Sequence, residues 1–343
     1  MIVLLVTAFA CLPPLLSHDV YSYVDYGRLG VLHGLDPYVH PPAAAPADPA
    51  FVHVTWTETT SAYGPLFTLA TYPLAWLPVG VAVYILKAIS AAAVLATAAL
   101  VARLAPARGI DPLRAAAFVA LNLLVLVHVV GGPHNDAFAV LLMTLGVASI
   151  LAARETAGGA WLAAAVAVKA STAVVIPFAF FGAVNRGPTG LRRDISTRFR
   201  PVSRMLVGAA VATVAIGGGA YLGFGWSWLD AFGLAGENQG RTSHLSIPIT
   251  TARLTGLDPT AIRTAALTLY AALLIYLLIW TNRGGDWLRA TGWATFALLL
   301  ATAWLLPWYL LWPLPLAALS RDRALKLLVL ALTAYQLGAR IPL

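Results

Sequence analysis

Cysteine is almost missing from this sequence. Cys11 stands alone among 343 residues, which excludes a disulfide framework and any cysteine-based metal site. Charge is scarce too: 10% of residues are Asp, Glu, Lys or Arg, against about 25% in soluble domains. A soluble fold is excluded on that ground. No Walker motif, dinucleotide fingerprint or soluble catalytic module appears. The first apolar stretch, Met1–Leu16, lacks the basic n-region of a signal peptide. "AFAC" at 8–11 has the outline of a lipoprotein cleavage site, but no soluble domain follows for it to anchor. At about 16 residues the stretch is short for a span, which needs about 20, so the natural chain is expected to begin upstream. Internal repeats, low-complexity tracts and linkers are absent, and residues 1–343 read as one transmembrane domain.

What is present is apolar: 60% of residues are hydrophobic and 11 are Trp. Apolar segments fall near 1–17, 65–78, 79–104, 112–130, 135–153, 158–184, 205–223, 261–281, 288–306, 309–320 and 324–338. These predict an all-α polytopic membrane protein of about 10–11 membrane segments. The net charge of +8 is unevenly spread. The breaks at 103–112, 185–204, 282–289 and 320–326, with Arg114 and the Arg154 turn, carry a net +10, including Arg103, Arg108, Arg186, Arg192, Arg193, Asp194, Asp286 and Arg289. The remaining breaks and the C-terminal end, with Arg340, sum to −4. Cytoplasmic loops retain Lys and Arg, so the basic balance is a topology signal and not a nucleic-acid footprint.

Alternation across the membrane has two consequences. The 18–64 break is outside and Arg103 inside, so only one of 65–78 and 79–104 crosses. The Pro-rich "YGPLFTLATYPLAWLP" is then a helix at the outer interface, giving outer loops 18–78 and 223–259. Arg154 and Arg186 are both inside, so 158–184 enters and returns as a hairpin with Lys169 at its vertex. Its arms, about 16 and 22 Å at 1.5 Å per residue, are too short for the ~30 Å hydrocarbon core.

Several polar groups are candidates for chemistry. An ammonium near mid-membrane is costly unless paired or hydrated, and Lys169 would suit a phosphate arriving through lipid. Lys87, nearer the end of its segment, reads as a lysine snorkelling to the interface. "LLSHDVYSYVDYGRLG" places Asp19 on the lip of the first apolar helix, with His18, Tyr23, Asp25 and Arg28 around it. A carboxylate held there can take a proton from a hydroxyl. In "GGPHNDAF", His134, Asn135 and Asp136 open a helix, either as an N-cap or as part of a site. Arg241 and His244 in "ENQGRTSH" suit phosphate or sugar oxygens, or belong to a solvated loop. Tyr63 and Tyr309 fall on the same outer side, the latter within "PWYLLWPLP", an aromatic belt of ordinary kind. No cofactor and no metal are expected.

"HDVYSYVDYGRLGVLHGLDPY", "SAYGPLF", "GGPHNDAF" and "LLPWYLLWPLPLAAL" together resemble the polyprenol-phosphate-mannose-dependent alpha-1,6-mannosyltransferases of actinobacterial cell envelopes, within the GT-C class. The resemblance runs from Ser17 to about Leu319. It implies a GT-C-like bundle with juxtamembrane helices in the first outer loop, and a catalytic carboxylate after the first helix, matching Asp19. It also implies a lysine between two short helices near the donor phosphate, matching Lys169. Family members are usually longer.

The implied reaction is inverting sugar transfer, with mannose favoured by the resemblance. The donor is a polyprenyl-phosphate sugar and the acceptor a hydroxyl of a cell-envelope glycan or glycolipid. Lys169, Arg241 and His244 are the expected phosphate contacts. His18, Tyr23, Asp25, Arg28, Tyr63, His134, Asn135, Asp136 and Tyr309 are the expected sugar and acceptor contacts. The site is expected on the outer face of a bacterial plasma membrane. The rival reading is a transporter or flippase of a lipid-linked sugar, since broken helices and buried cations also mark transporters.

Overall fold

The structure is a computed structural model that describes residues 1–185, 195–237 and 240–339. Arg186, Arg192, Arg193, Asp194 and Arg340 of the charge pattern, and Asn238 and Gln239 of the second outer loop, lie outside the described residues. Helices and their connections make up the described residues, with no strand among them. The fold is all-α and that of a polytopic membrane protein.

In chain order the helices are α1 (Ile2–Cys11), α2 (Asp19–Leu32), α3 (Pro65–Thr71), α4 (Val79–Leu104), α5 (Pro112–Ala120), α6 (Asp136–Leu151), α7 (Glu155–Val168) and α8 (Ile176–Val184). There follow α9 (Ile195–Phe224), α10 (Asp230–Glu237), α11 (Ile247–Thr255), α12 (Pro259–Asn282), α13 (Trp287–Ala301), α14 (Leu314–Leu319) and α15 (Arg323–Gly338). Among the described residues three helices are long and apolar enough to cross a membrane singly: α4, α12 and the Phe199–Phe224 part of α9. At 26 residues, α4 is about 39 Å long.

The apolar segment 112–130 is not one straight helix. α5 ends at Ala120, a π-helical stretch runs from Val125 to Gly131, and the two are bent by 63°. Asn122 lies at the break. Its side-chain carbonyl accepts from the Leu124 amide over 3.0 Å and its amide donates to Thr333 Oγ1 over 2.9 Å. A local side-chain acceptor of this kind competes with the helix ladder, and hydropathy is blind to it. The first helix is likewise shorter than its apolar stretch, ending at Cys11 before extended Leu12 and Pro13-Pro14.

In lipid the apolar side chains gain little by leaving their surroundings, so helices associate through close packing of small residues. α7 and α9 do this reciprocally. A Cβ on Gly159 would lie 1.8 Å from the Met205 carbonyl oxygen, and one on Gly208 would lie 1.8 Å from that of Thr156. α7 and α8 are two short helices separated by Lys169 and a 3₁₀ stretch from Ala170 to Val175. The break read at Lys169 is thus present, between two helices each shorter than a span.

Basic breaks far apart in sequence meet at one end of the bundle. Arg108 pairs with Asp286, Arg321 donates to the Arg108 carbonyl over 2.6 Å, and Arg289 pairs with Asp322 at 2.7 Å. The 18–64 loop is braced by its own contacts. Arg28 binds Asp48 at 2.8 Å and the Ala75 carbonyl at 2.8 Å, while Tyr38 donates to the Tyr63 carbonyl at 2.8 Å.

Candidate active site

Asp19 is the first residue of α2, where the helix dipole favours a carboxylate. Tyr26, two turns on, donates to the Thr59 carbonyl over 2.7 Å and so pins the far part of the 18–64 loop to α2. That brings Trp56 into reach, and its indole N–H donates to Asp19 Oδ1 over 3.3 Å. The other carboxylate oxygen of Asp19 lies 3.6 Å from His134 Nδ1. The Tyr23 hydroxyl lies 3.4 Å from the same nitrogen. His134 stacks on Trp308, ring centroids 3.6 Å apart and planes within 15°. Burial raises the Asp19 carboxyl above the usual carboxylate range, against the opposing pull of the Trp56 bond and the Lys169 charge. Burial, reinforced by Lys169, holds the His134 imidazole well below its usual range, so it is neutral beside Asp19.

The tripeptide His134-Asn135-Asp136 serves both ends of the site. Asn135 stands at the N-cap of α6 but makes no capping bond, so the cap reading of the motif does not describe its side chain. Both polar atoms of that side chain are buried without a hydrogen-bond partner. Asp136 is wholly buried, and one of its oxygens accepts from Lys169 Nζ over 2.7 Å. The other accepts from the Trp312 indole over 2.5 Å.

Lys169 is extended backbone between α7 and the 3₁₀ stretch, and its side chain is 19% exposed. Its ammonium lies 4.9 Å from the Tyr309 ring centroid and 5.5 Å from that of Trp312, over two rings stacked on each other. Immediately before it, the Val168 carbonyl accepts from the Gly64 amide over 3.2 Å, joining the hairpin to the loop that carries Tyr63. Arg241 enters from the 223–259 loop. Its guanidinium sits between the Trp56 ring at 5.0 Å and the Trp304 ring at 5.2 Å.

These groups surround one cavity of about 550 Å³, a volume ordinary for a small-molecule site. Asp19, Tyr23, Tyr63, Asn135, Lys169, Arg241 and Tyr309 line it, together with Trp56, Trp304, Trp308 and Trp312. Asp19 and Lys169 therefore face the same space. His134 and Asp136 stand behind the wall and reach it through Asp19 and Lys169. Four other expected contacts lie elsewhere. His18 and His244 are exposed beyond the lining, and Arg28 is engaged with Asp48 and backbone carbonyls. Asp25 is buried with neither oxygen hydrogen-bonded. Among the described residues no three His, Cys, Asp or Glu side chains converge as a metal would require.

Three contributors escaped sequence reasoning. Trp56 and Trp304 flank Arg241 from distant loops; Trp56 stands in the polar "TWTETT", but Trp304 lies in the apolar "ATAWLLP", which gave no signal. Lys87 is the third, and here the structure corrects the sequence. It does not snorkel: it is fully buried and donates to the carbonyls of Val130 and Gly131. Those carbonyls end the π-helical stretch, and a helix end leaves acceptors for a cation to satisfy.

Comparison with known proteins bears on this geometry. Residues 2–186 match the family model described as alpha-(1->6)-mannopyranosyltransferase, N-terminal domain. Residues 250–339 match the MptB C-terminal domain. The chain is 33% identical over 329 residues to alpha-(1->6)-mannopyranosyltransferase A of Mycobacterium tuberculosis, covering 89% of this chain and 61% of that protein. It is 33% identical over 172 residues to the Corynebacterium glutamicum protein of the same name, covering 48% of this chain and 34% of that one. The chain thus spans less than two thirds of the length of these relatives. No solved structure matches significantly. The matched N-terminal region carries Asp19, the His134–Asp136 tripeptide and Lys169, and by that match the chain belongs to the alpha-(1->6)-mannopyranosyltransferase family.

Proposed function

We propose that the protein transfers a mannosyl residue from a polyprenyl-phosphate donor to a hydroxyl of a cell-envelope glycan or glycolipid, forming an alpha-1,6 linkage. The observation that carries this is the shared cavity: a carboxylate, Asp19, and two cations, Lys169 and Arg241, line one space. The acceptor oxygen attacks the anomeric carbon while its proton passes to Asp19. The bond from that carbon to the phosphate oxygen breaks, and polyprenyl phosphate leaves with the electron pair. One displacement inverts configuration and needs a single essential carboxylate, unlike the two-step route with a carboxylate nucleophile.

Each neighbour has a task in this reading. Trp56 and His134 fix the Asp19 carboxylate, and the upward shift of its pKa makes it a stronger base than a solvated carboxylate. Asp136 takes one proton donor of Lys169 and leaves the others for the leaving phosphate. Preorganised cations of this kind act strongly where water is excluded. Arg241, its guanidinium near two indoles, presents its fork to phosphate oxygens. The unpartnered Asn135 amide offers a donor and an acceptor to sugar hydroxyls. The site faces the outer side of a bacterial plasma membrane, where a lipid-linked donor arrives from the bilayer.

The test is reconstitution of the protein in liposomes with synthetic polyprenyl-phosphate mannose and an alpha-mannoside acceptor. The reading expects an alpha-1,6-linked product and stoichiometric release of polyprenyl phosphate. Translocation of the donor without cleavage would make the protein a flippase and overturn it.

A further inference from the structure

α4 presents a row of donors to the end of the π-helical stretch. Ser90 Oγ donates to the Val129 carbonyl over 2.6 Å, and the Lys87 ammonium donates to Val130 and Gly131. Three successive carbonyls are thereby satisfied from one face of a neighbouring helix. The last of them has a second donor. The Leu15 amide donates to the same Gly131 oxygen over 3.1 Å, four residues before Asp19. The two chains are pressed together at this point, since a Cβ on Gly132 would lie 2.4 Å from the Leu15 carbonyl oxygen. One atom, the Gly131 oxygen, is therefore where the segment leading to Asp19 meets the loop leading to His134 and Asp136.

We propose that Lys87 is a positioning residue for the active site, its ammonium on the Gly131 carbonyl holding the Asp19 segment and the His134–Asp136 loop in register. Which reaction is positioned rests on the proposed function; the clamp itself rests on the contacts alone. A buried ammonium is costly in a membrane helix, and an apolar residue would fill the same space without that cost. A lysine at this position makes sense if it orders the end of the π-helical stretch, where the Gly131 carbonyl would otherwise keep only the Leu15 amide. Its effect on catalysis is indirect: loosening Gly131 lets Asp19 and His134, 3.6 Å apart, drift relative to each other.

The experiment compares the full chain with Lys87→Met, which removes the donors, and Lys87→Gln, which keeps a neutral one. Amide hydrogen exchange in detergent is expected to quicken in 12–20 and 128–136 of Lys87→Met and to recover partly in Lys87→Gln. Turnover is expected to fall about 10–100-fold while KM for the donor changes by less than about threefold, the signature of lost alignment. In an Asp19→Asn background, Lys87→Met is expected to cost nothing further, because the group it positions is already disabled. Unchanged exchange in both segments would overturn the proposal, and so would a full additional loss in the double variant. Should Lys87→Met fail to accumulate, Lys87→Gln and Ser90→Ala are read by the same exchange measurement, with quickening confined to these segments expected and none refuting it. If the wild type itself transfers no sugar, the functional reading fails while the exchange result still decides the clamp.

Discussion

Lys169 donates to Asp136 over 2.7 Å, and two residues earlier in the same tripeptide His134 lies 3.6 Å from Asp19. A single turn of chain therefore fixes both the carboxylate and the cation that face the cavity. Asn135, between them, is the one member of the tripeptide whose side chain has no protein partner and lines the cavity. The arrangement makes the relative placement of Asp19 and Lys169 a local property of the α6 start, although the two are 150 residues apart in sequence.

Removing Asp136 is expected to be costly in two ways. Asp136→Ala leaves the Lys169 ammonium partly buried without its anion, a change that typically costs about 3–5 kcal/mol. Thermal unfolding in detergent should report the loss, and kcat/KM for the donor should fall with it. Asp136→Asn, which keeps an acceptor for the Trp312 indole, should be the milder of the two.

Arg241→Lys keeps the charge and loses the planar fork between Trp56 and Trp304. Each cation–π contact at a partly exposed site is worth about 0.5–1 kcal/mol, so two lost contacts correspond to roughly a tenfold rise in donor KM. Trp304→Leu should raise KM in the same direction. A donor titration measures both; equal KM in wild type and Arg241→Lys would remove the sandwich from donor binding.

The pH dependence follows from the direction of the Asp19 shift. The base works only when ionised, and burial raises its pKa. Activity is therefore expected to fall as the pH drops, with the acidic limb of kcat/KM above the ordinary aspartate value of about 3.9. The profile on a soluble acceptor measures this. A limb at or below that value would contradict a buried Asp19 base.

Asp25 gives a stability prediction of opposite use. Burial, with the Asp48 charge adding to it, pushes its carboxyl up to about 7. The folded state then binds the Asp25 proton more tightly than the unfolded chain, so this group favours folding below about pH 4 and loses that contribution as the pH rises through about 7. Asp25→Asn should consequently raise the unfolding temperature at pH 8 and raise it by less at pH 5. Thermal scans at the two pH values check the sign.

How much of this was legible in the sequence depended on the kind of signal. The break at Lys169 followed from charge alternation and arm length, which are properties of long stretches. Asp19 stood out because a carboxylate on an apolar helix end is rare. The break at Asn122 and the π-helical turn before Gly131 were not legible, since both keep the hydropathy of an ordinary span. Lys87 was misread for the same reason: its partners are backbone carbonyls, which leave no mark in sequence. Arg28 looked like a site residue in its motif, yet Asp48, which claims it, lies 20 residues on in an unremarkable loop.

The central claim, that Asp19 is the base, is tested most directly by transfer from polyprenyl-phosphate mannose with wild type and Asp19→Asn. Asn keeps the shape and the Trp56 contact but cannot take a proton. The expected result is a folded protein with donor binding retained and turnover lower by about 10²–10⁴-fold, the usual contribution of a positioned base. Turnover near that of the wild type in the folded Asn variant would contradict the account.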